Sequence, residues 1–273
     1  LLPAALSVAY LEGLLQIPCP AGLPSHPVYQ SVTVTSPDGV TLRAWWSPPK
    51  NGAVILLLPG AGGGRDAMLA DMDLLTANGY GALSLEQRNC AGELLTLGGR
   101  EAGDVGAALE FALTQPGVEW VGGLGFSAGS AALLMAAGVD QRIRAVVAQG
   151  NYANLLDEFT NSRPFPLSLE WWINHEVALY FWLRTGIWPG DLSPLDSAGR
   201  ISPRPVLYIF GEEEEANARG YDQFRAAGEP KDFWLVPGVG HGGYGSAFPE
   251  EYARRVLGFF ADARRRDGQL NSP

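Results

Sequence analysis

Residues 118–138 read VEWVGGLGFSAGSAALLMAAG. An apolar run leads into Gly125-Phe126-Ser127-Ala128-Gly129, and a helix-forming run follows at once. A serine on a sharp strand-to-helix turn is exposed, and glycines on either side remove side chains that would clash there. The helix N-terminus behind it favours negative charge beside the hydroxyl. Ser127 therefore reads as a nucleophile at the C-terminal end of a strand.

The same alternation extends in both directions. AVILLL at 53–58 lies between Asn51-Gly52 and Pro59-Gly60 and suits a strand buried on both faces. Further strands are expected at 80–85, 143–148, 205–210 and 232–236. Helices are expected at 66–78, 101–114, 128–138 and 249–265. Upstream, 30–36 and 40–46 flank Pro37-Asp38-Gly39 and read as a β-hairpin. The expectation is an α/β chain with a mostly parallel sheet of about eight strands, an N-terminal antiparallel hairpin and helices on both faces.

The alternation breaks at 154–200, where Phe159, Phe165, Trp171, Trp172, Tyr180, Phe181, Trp182 and Trp188 cluster. A structureless loop of that length is out of place in a compact domain. It reads as a helical, aromatic-rich cap inserted in a core of 27–153 and 201–267. At least two of Trp171, Trp172, Trp182 and Trp188 are expected to face a ligand cavity. A tail at 268–273 and an apolar segment at 1–26 complete the organisation.

Residues 1–17 (LLPAALSVAYLEGLLQI) carry one charge, Glu12, and are shorter than the roughly 20 residues needed to span a bilayer. They read equally as the clipped end of a signal or anchor, with membrane association, and as a helix packed on the body. A membrane-associated or extracytoplasmic location is favoured over the cytoplasm. The arginines of the last helix read as a solvated helix end.

Composition narrows the chemistry. Of 273 residues, 29 are Asp or Glu and 19 are Lys or Arg, a net charge of −10. No basic face is present to bind nucleic acid. Two cysteines, Cys19 and Cys90, exclude a tetra-cysteine zinc site and a dense disulfide framework. A buried or pairing role suits Cys90 better than catalysis. There are 3 histidines. His26 precedes the hairpin and is expected to be exposed; His175 lies in the insert and suits a helix surface. His241 lies in Pro237-Gly-Val-Gly-His241-Gly-Gly243, directly after a strand. Open α/β sheets place their sites at strand C-terminal ends, so His241 is the general base for Ser127. The strand at 205–210 ends in Gly211 and Glu212-Glu-Glu-Glu215, one of which is expected to orient the imidazole. The order Ser…Glu…His follows. The amide of Ala128 and the loop Pro59-Gly-Ala-Gly-Gly-Gly64 can supply oxyanion donors. No Gly-Lys-Ser/Thr follows that loop, which disfavours a phosphate-binding P-loop.

With these residues in place, the chain from about 28 to 261 resembles the α/β-hydrolase superfamily. Within it, the chain looks most like the serine aminopeptidase-like and dienelactone hydrolase-like serine hydrolases. The resemblance rests on Ser36-Pro-Asp-Gly-Val-Thr-Leu-Arg-Ala-Trp45, Leu58-Pro-Gly-Ala-Gly-Gly63, Gly79-Tyr-Gly81, Gly125 to Gly129, Leu192-Ser-Pro194, Pro205 to Gly211 and Pro237 to His241. It implies Ser127 as nucleophile, His241 as base, and Glu214, three residues after Gly211, as acid. It also implies the amides of Ala61 and Ala128 as the oxyanion hole. Many members carry an apolar segment before the catalytic domain. Three features depart from the family's pattern. Pro59-Gly60 stands for the usual His-Gly, and Glu86-Gln-Arg-Asn-Cys90 stands for Asp-x-Arg-Gly. The acid is a glutamate instead of aspartate, which leaves Glu213 and Glu215 open beside Glu214.

The expected activity is cleavage of small carboxylic esters with an apolar portion, through an acyl-enzyme and with no metal or organic cofactor. Two alternatives stand beside it. One is a peptidase or amidase of the same fold. The other is a non-catalytic binding module, motivated by the glutamate run and the missing His-Gly.

Overall fold

The computed structural model describes residues 2–22, 25–160 and 169–270. Helix α1 (Leu2–Leu15) is followed by the hairpin β1 (Gln30–Thr35) and β2 (Thr41–Ser47). Then come β3 (Ala53–Leu58), α2 (Leu69–Ala77), β4 (Gly81–Leu85), α3 (Gly99–Leu113), β5 (Trp120–Phe126), α4 (Ala128–Val139) and β6 (Ile143–Gln149). The insert holds α5 (Leu155–Thr160) and α6 (Leu169–Thr185), and α7 (Pro194–Ile201) leads back to the sheet at β7 (Val206–Gly211). The chain closes with α8 (Glu215–Ala218), α9 (Gly220–Ala226), β8 (Lys231–Val236), α10 (Tyr244–Ala247) and α11 (Pro249–Leu270).

The eight strands form one sheet in the order β1-β2-β4-β3-β5-β6-β7-β8. The pairs β1–β2 and β2–β4 are antiparallel and every other pair is parallel, as expected from the sequence. Every residue of β3, β4 and β7 is buried, because helices cover both faces. On one face α2 and α11 contribute Met72, Leu75, Val256 and Phe260 to the core. On the other, α3, α4 and α7 contribute Val105, Leu109, Leu133 and Ile201. The parallel strands end together, and the loops after β3, β5, β7 and β8 meet at that edge.

Helix α1 lies against α6, with Leu11 and Leu15 fully buried beside Phe181. Polar contacts flank that seam. Glu12 accepts from the Tyr180 hydroxyl at 2.9 Å and from Arg184 Nε at 2.8 Å. The outer face of α1 exposes Leu6, Val8 and Tyr10. Among the described residues no helix is long and apolar enough to cross a membrane. His26 is half-buried and stacked on Tyr29 at 4.5 Å, where the sequence suggested exposure. Tyr29 and Trp45 offer an aromatic surface that the flanking prolines gave no sign of.

Candidate active site

Ser127 joins β5 to α4 with φ 51° and ψ −122°. A side chain other than glycine is strained in that region, at a cost of about 1–3 kcal/mol. Its surroundings hold it there. The Ser127 amide donates to the Gln149 carbonyl at 2.8 Å, and its carbonyl accepts from Ala131 at 3.0 Å. Gly129 lets α4 press on the end of β3: a Cβ there would stand 2.3 Å from the Pro59 carbonyl and 2.4 Å from that of Leu58.

The loop after β8 brings His241 to the serine. Its Nε2 lies 3.1 Å from Ser127 Oγ and its Nδ1 lies 2.5 Å from Glu214 Oε2. Gly211 makes this meeting of loops possible. A Cβ on it would stand 2.2 Å from the Val239 carbonyl oxygen and 2.3 Å from that of Gly240. Glu214 Oε1 accepts from the Gly211 amide at 2.8 Å and from the Tyr244 hydroxyl. Of the four consecutive glutamates, Glu214 is the one that reaches the imidazole. Glu212 instead accepts from the Gly238 amide at 2.9 Å and Glu215 from the Tyr221 amide at 2.8 Å. The Glu214 hydrogen bond and charge hold the His241 imidazole above its ordinary value; burial works against them, and the charge of Glu158 adds to them. Burial, then the neighbouring carboxylate, raises the Tyr244 hydroxyl.

Gly60 places the loop after β3 over the serine, since a Cβ there would lie 3.3 Å from Ser127 Cβ and 3.0 Å from the Phe126 ring. The Ala128 amide opens α4, where backbone donors have no partner within the helix. Neither that amide nor the amide of Ala61 donates a hydrogen bond to any described residue. Both are available to a group bound at Ser127.

The segment after β4 braces this loop. The Gln87 side chain donates to the Pro59 carbonyl at 2.6 Å, and its backbone amide donates to the Gly63 carbonyl at 2.9 Å. Buried Arg88 makes two hydrogen bonds to Asp104, at 2.7 and 2.6 Å, and two to Asp38 in the hairpin turn, at 2.7 and 3.3 Å. Asn89 Nδ2 donates to the Ile17 carbonyl at 3.0 Å, and the Leu95 amide donates to the Leu15 carbonyl at 3.0 Å. Cys90 is bonded to Cys19. The stretch following α1 is thereby pinned beside the site, with Ile17 packed on Gly62: a Cβ on Gly62 would meet the Ile17 side chain at 2.5 Å.

Trp182 and Trp188 are close to half exposed, at 45% and 40%, and line none of the principal cavities among the described residues. Trp182 sits on the outer surface because the inward face of α6 is occupied by Val177, Ala178 and Phe181 packing on α1 and α5. The side chains of Trp171 and Trp172 lie outside the described residues, as does Phe165. His175 is exposed on α6. Among the described residues, no group of three or more His, Cys, Asp or Glu side chains could hold a metal ion. Sequence reasoning missed Tyr244, and also Gln149 as the acceptor for the serine amide. Neither follows a motif; Gln149 is brought in by the β5–β6 register and Tyr244 by the short helix after the His241 loop.

Compared by sequence, the chain matches no family model and no curated protein. Its fold is similar to that of solved structures. One is the esterase Pf2001 of Pyrococcus furiosus, at 21% identity and a TM-score of 0.70, covering 90% of this chain and 97% of that one. Another is the alpha/beta hydrolase GrgF of Penicillium sp. sh18, at 19% identity and 0.63, covering 87% and 98%. A third is Est1E of Butyrivibrio proteoclasticus, at 16% and 0.63, covering 85% and 99%.

Proposed function

We propose that this chain, which has the α/β-hydrolase fold, is a serine hydrolase that cleaves carboxylic esters. The observation that carries the reading is the line from Ser127 through His241 to Glu214, set on a strained strand-to-helix turn at the sheet's C-terminal edge. Esterases and hydrolases among the structures of like fold support it.

In this reading the Ser127 hydroxyl gives its proton to His241 Nε2 as Oγ attacks the ester carbonyl. Glu214 fixes the Nδ1–H tautomer and stabilises the imidazolium that forms. The amides of Ala61 and Ala128 take the oxyanion. His241 protonates the departing alcohol, and water then releases the acid through the same groups. The Cys19–Cys90 disulfide supports an oxidising, extracytoplasmic location.

The test is labelling by a fluorophosphonate probe together with hydrolysis of p-nitrophenyl butanoate. Ser127→Ala should abolish labelling and lower turnover by about 10⁴-fold or more. Folded wild-type protein that neither labels nor turns over would leave the reading without support.

A further inference from the structure

A cavity of about 620 Å³ opens beside His241, between the loop 241–245 and the first turns of α2 and α11. Met68, Leu74 and Phe126 give it apolar walls, and Asp71, Gln149 and Tyr252 give it a polar one. The Tyr252 hydroxyl donates to Asp71 Oδ1 and accepts from Gln149 Nε2 at 2.6 Å. The other Asp71 oxygen has no hydrogen-bond partner among the described residues. Among the described residues no lysine or arginine lines the cavity. Burial pushes the Asp71 carboxyl up to about 6, opposed only by the Tyr252 hydrogen bond.

A carboxylate in an apolar enclosure is costly unless a cation or several donors meet it. Tyr252 supplies one donor, and the described residues lining the cavity supply no cation. A primary ammonium would bring both a charge and three donors. The place of the cavity says which part of a substrate would carry that group. His241 must hand its proton to the departing oxygen, so the leaving group lies against the imidazole, and this imidazole lines the cavity.

We propose that the cavity is the leaving-group subsite and selects esters of amino alcohols. The alkyl chain lies along Met68, Leu74 and Phe126, and the terminal ammonium donates to the free oxygen of Asp71. This rests on the serine-hydrolase reading. Ser127 Oγ bonds the carbonyl carbon, the acyl–oxygen bond breaks, and the proton taken from Ser127 leaves on the alcohol oxygen. Water then returns a proton to Ser127 and completes the acid.

The experiment compares butanoate esters of 3- to 6-carbon amino alcohols with the esters in which a methyl replaces the ammonium, by release of butanoate. Alongside, calorimetry measures hexylammonium and 1-hexanol binding. Wild-type kcat/KM should favour the ammonium member by about ten-fold or more at the best chain length. Hexylammonium should bind more tightly than 1-hexanol. In Asp71→Asn both preferences should fall to about one. No preference in the wild type overturns the subsite without recourse to any variant, and so does a preference that survives Asp71→Asn, even where both rates drop together. Hexylammonium binding no tighter than 1-hexanol overturns it whether or not the chain is a hydrolase. Cleavage of neither ester, with no fluorophosphonate labelling, overturns the hydrolase reading and the leaving-group assignment with it.

Discussion

Both oxygens of Glu214 are committed: Oε2 stands 2.5 Å from His241 Nδ1, and Oε1 is held by the Gly211 amide and the Tyr244 hydroxyl. The carboxylate cannot turn without losing three partners. It therefore fixes which imidazole nitrogen bears the proton and points the other at Ser127.

That arrangement sets a pH dependence. The Glu214 hydrogen bond and charge raise His241, so the protonated ring is favoured and the free base appears only at higher pH. The value of kcat/KM should fall as pH drops through the His241 titration. In Glu214→Gln the negative charge is gone, so this acid limb moves to lower pH, while the plateau falls by about 10³- to 10⁴-fold. A pH profile of acylation in both proteins checks this. A limb that stays in place would detach Glu214 from the imidazole.

Gly211→Ala tests the crossing of the two loops. The added Cβ would fall 2.2 Å from the Val239 carbonyl oxygen, and backbone cannot step aside as a side chain can. A loss of roughly 2–4 kcal/mol in urea unfolding is expected. The acylation rate of the folded fraction should fall as well, because the displaced backbone carries both Glu214 and His241. Wild-type stability and rate would mean that the loops are free to separate.

Cys90→Ser tests the bridge to Cys19. The two lie 71 residues apart in sequence. Closing a loop of that size restricts the unfolded chain by about 4 kcal/mol, and its loss should lower Tm by about 10 °C. Without reductant the wild type should melt above the variant, and with reductant the two melts should converge. A variant that melts with the oxidised wild type would show that the bridge adds no stability.

The fold was readable because its parallel strands are continuous apolar runs bounded by turn residues, AVILLL at 53–58 above all. The serine and histidine were readable because each sits in a glycine-rich turn at a strand end. Glu214 was separable from its neighbours only through the spacing of a related pattern. Composition alone makes four adjacent glutamates equal, and the β7 turn is what aims one of them. Asp71 was hidden because an acid in the first turn of a helix is ordinary. Only the packing of α11 across α2 brings Tyr252 to it and makes the carboxyl unusual. Of the insert's tryptophans, only Trp182 and Trp188 lie within the described side chains, and both are on the outside. Bulk in an insert suggests lining, but on α6 it is Val177, Ala178 and Phe181 that turn inward, leaving Trp182 outside.

Ile17 rests on the loop that carries the Ala61 amide, and the covalent bond holding that stretch is two residues away at Cys19. In the proposed mechanism the oxyanion donor at Ala61 is thus steadied by a residue outside the catalytic loops. Mild reductant should slow acylation at temperatures where the chain is still folded, because slack between 15 and 19 reaches the oxyanion loop before it reaches the sheet. Thiol chemistry at the rim would then act as a throttle on the serine, without any cysteine taking part in the reaction.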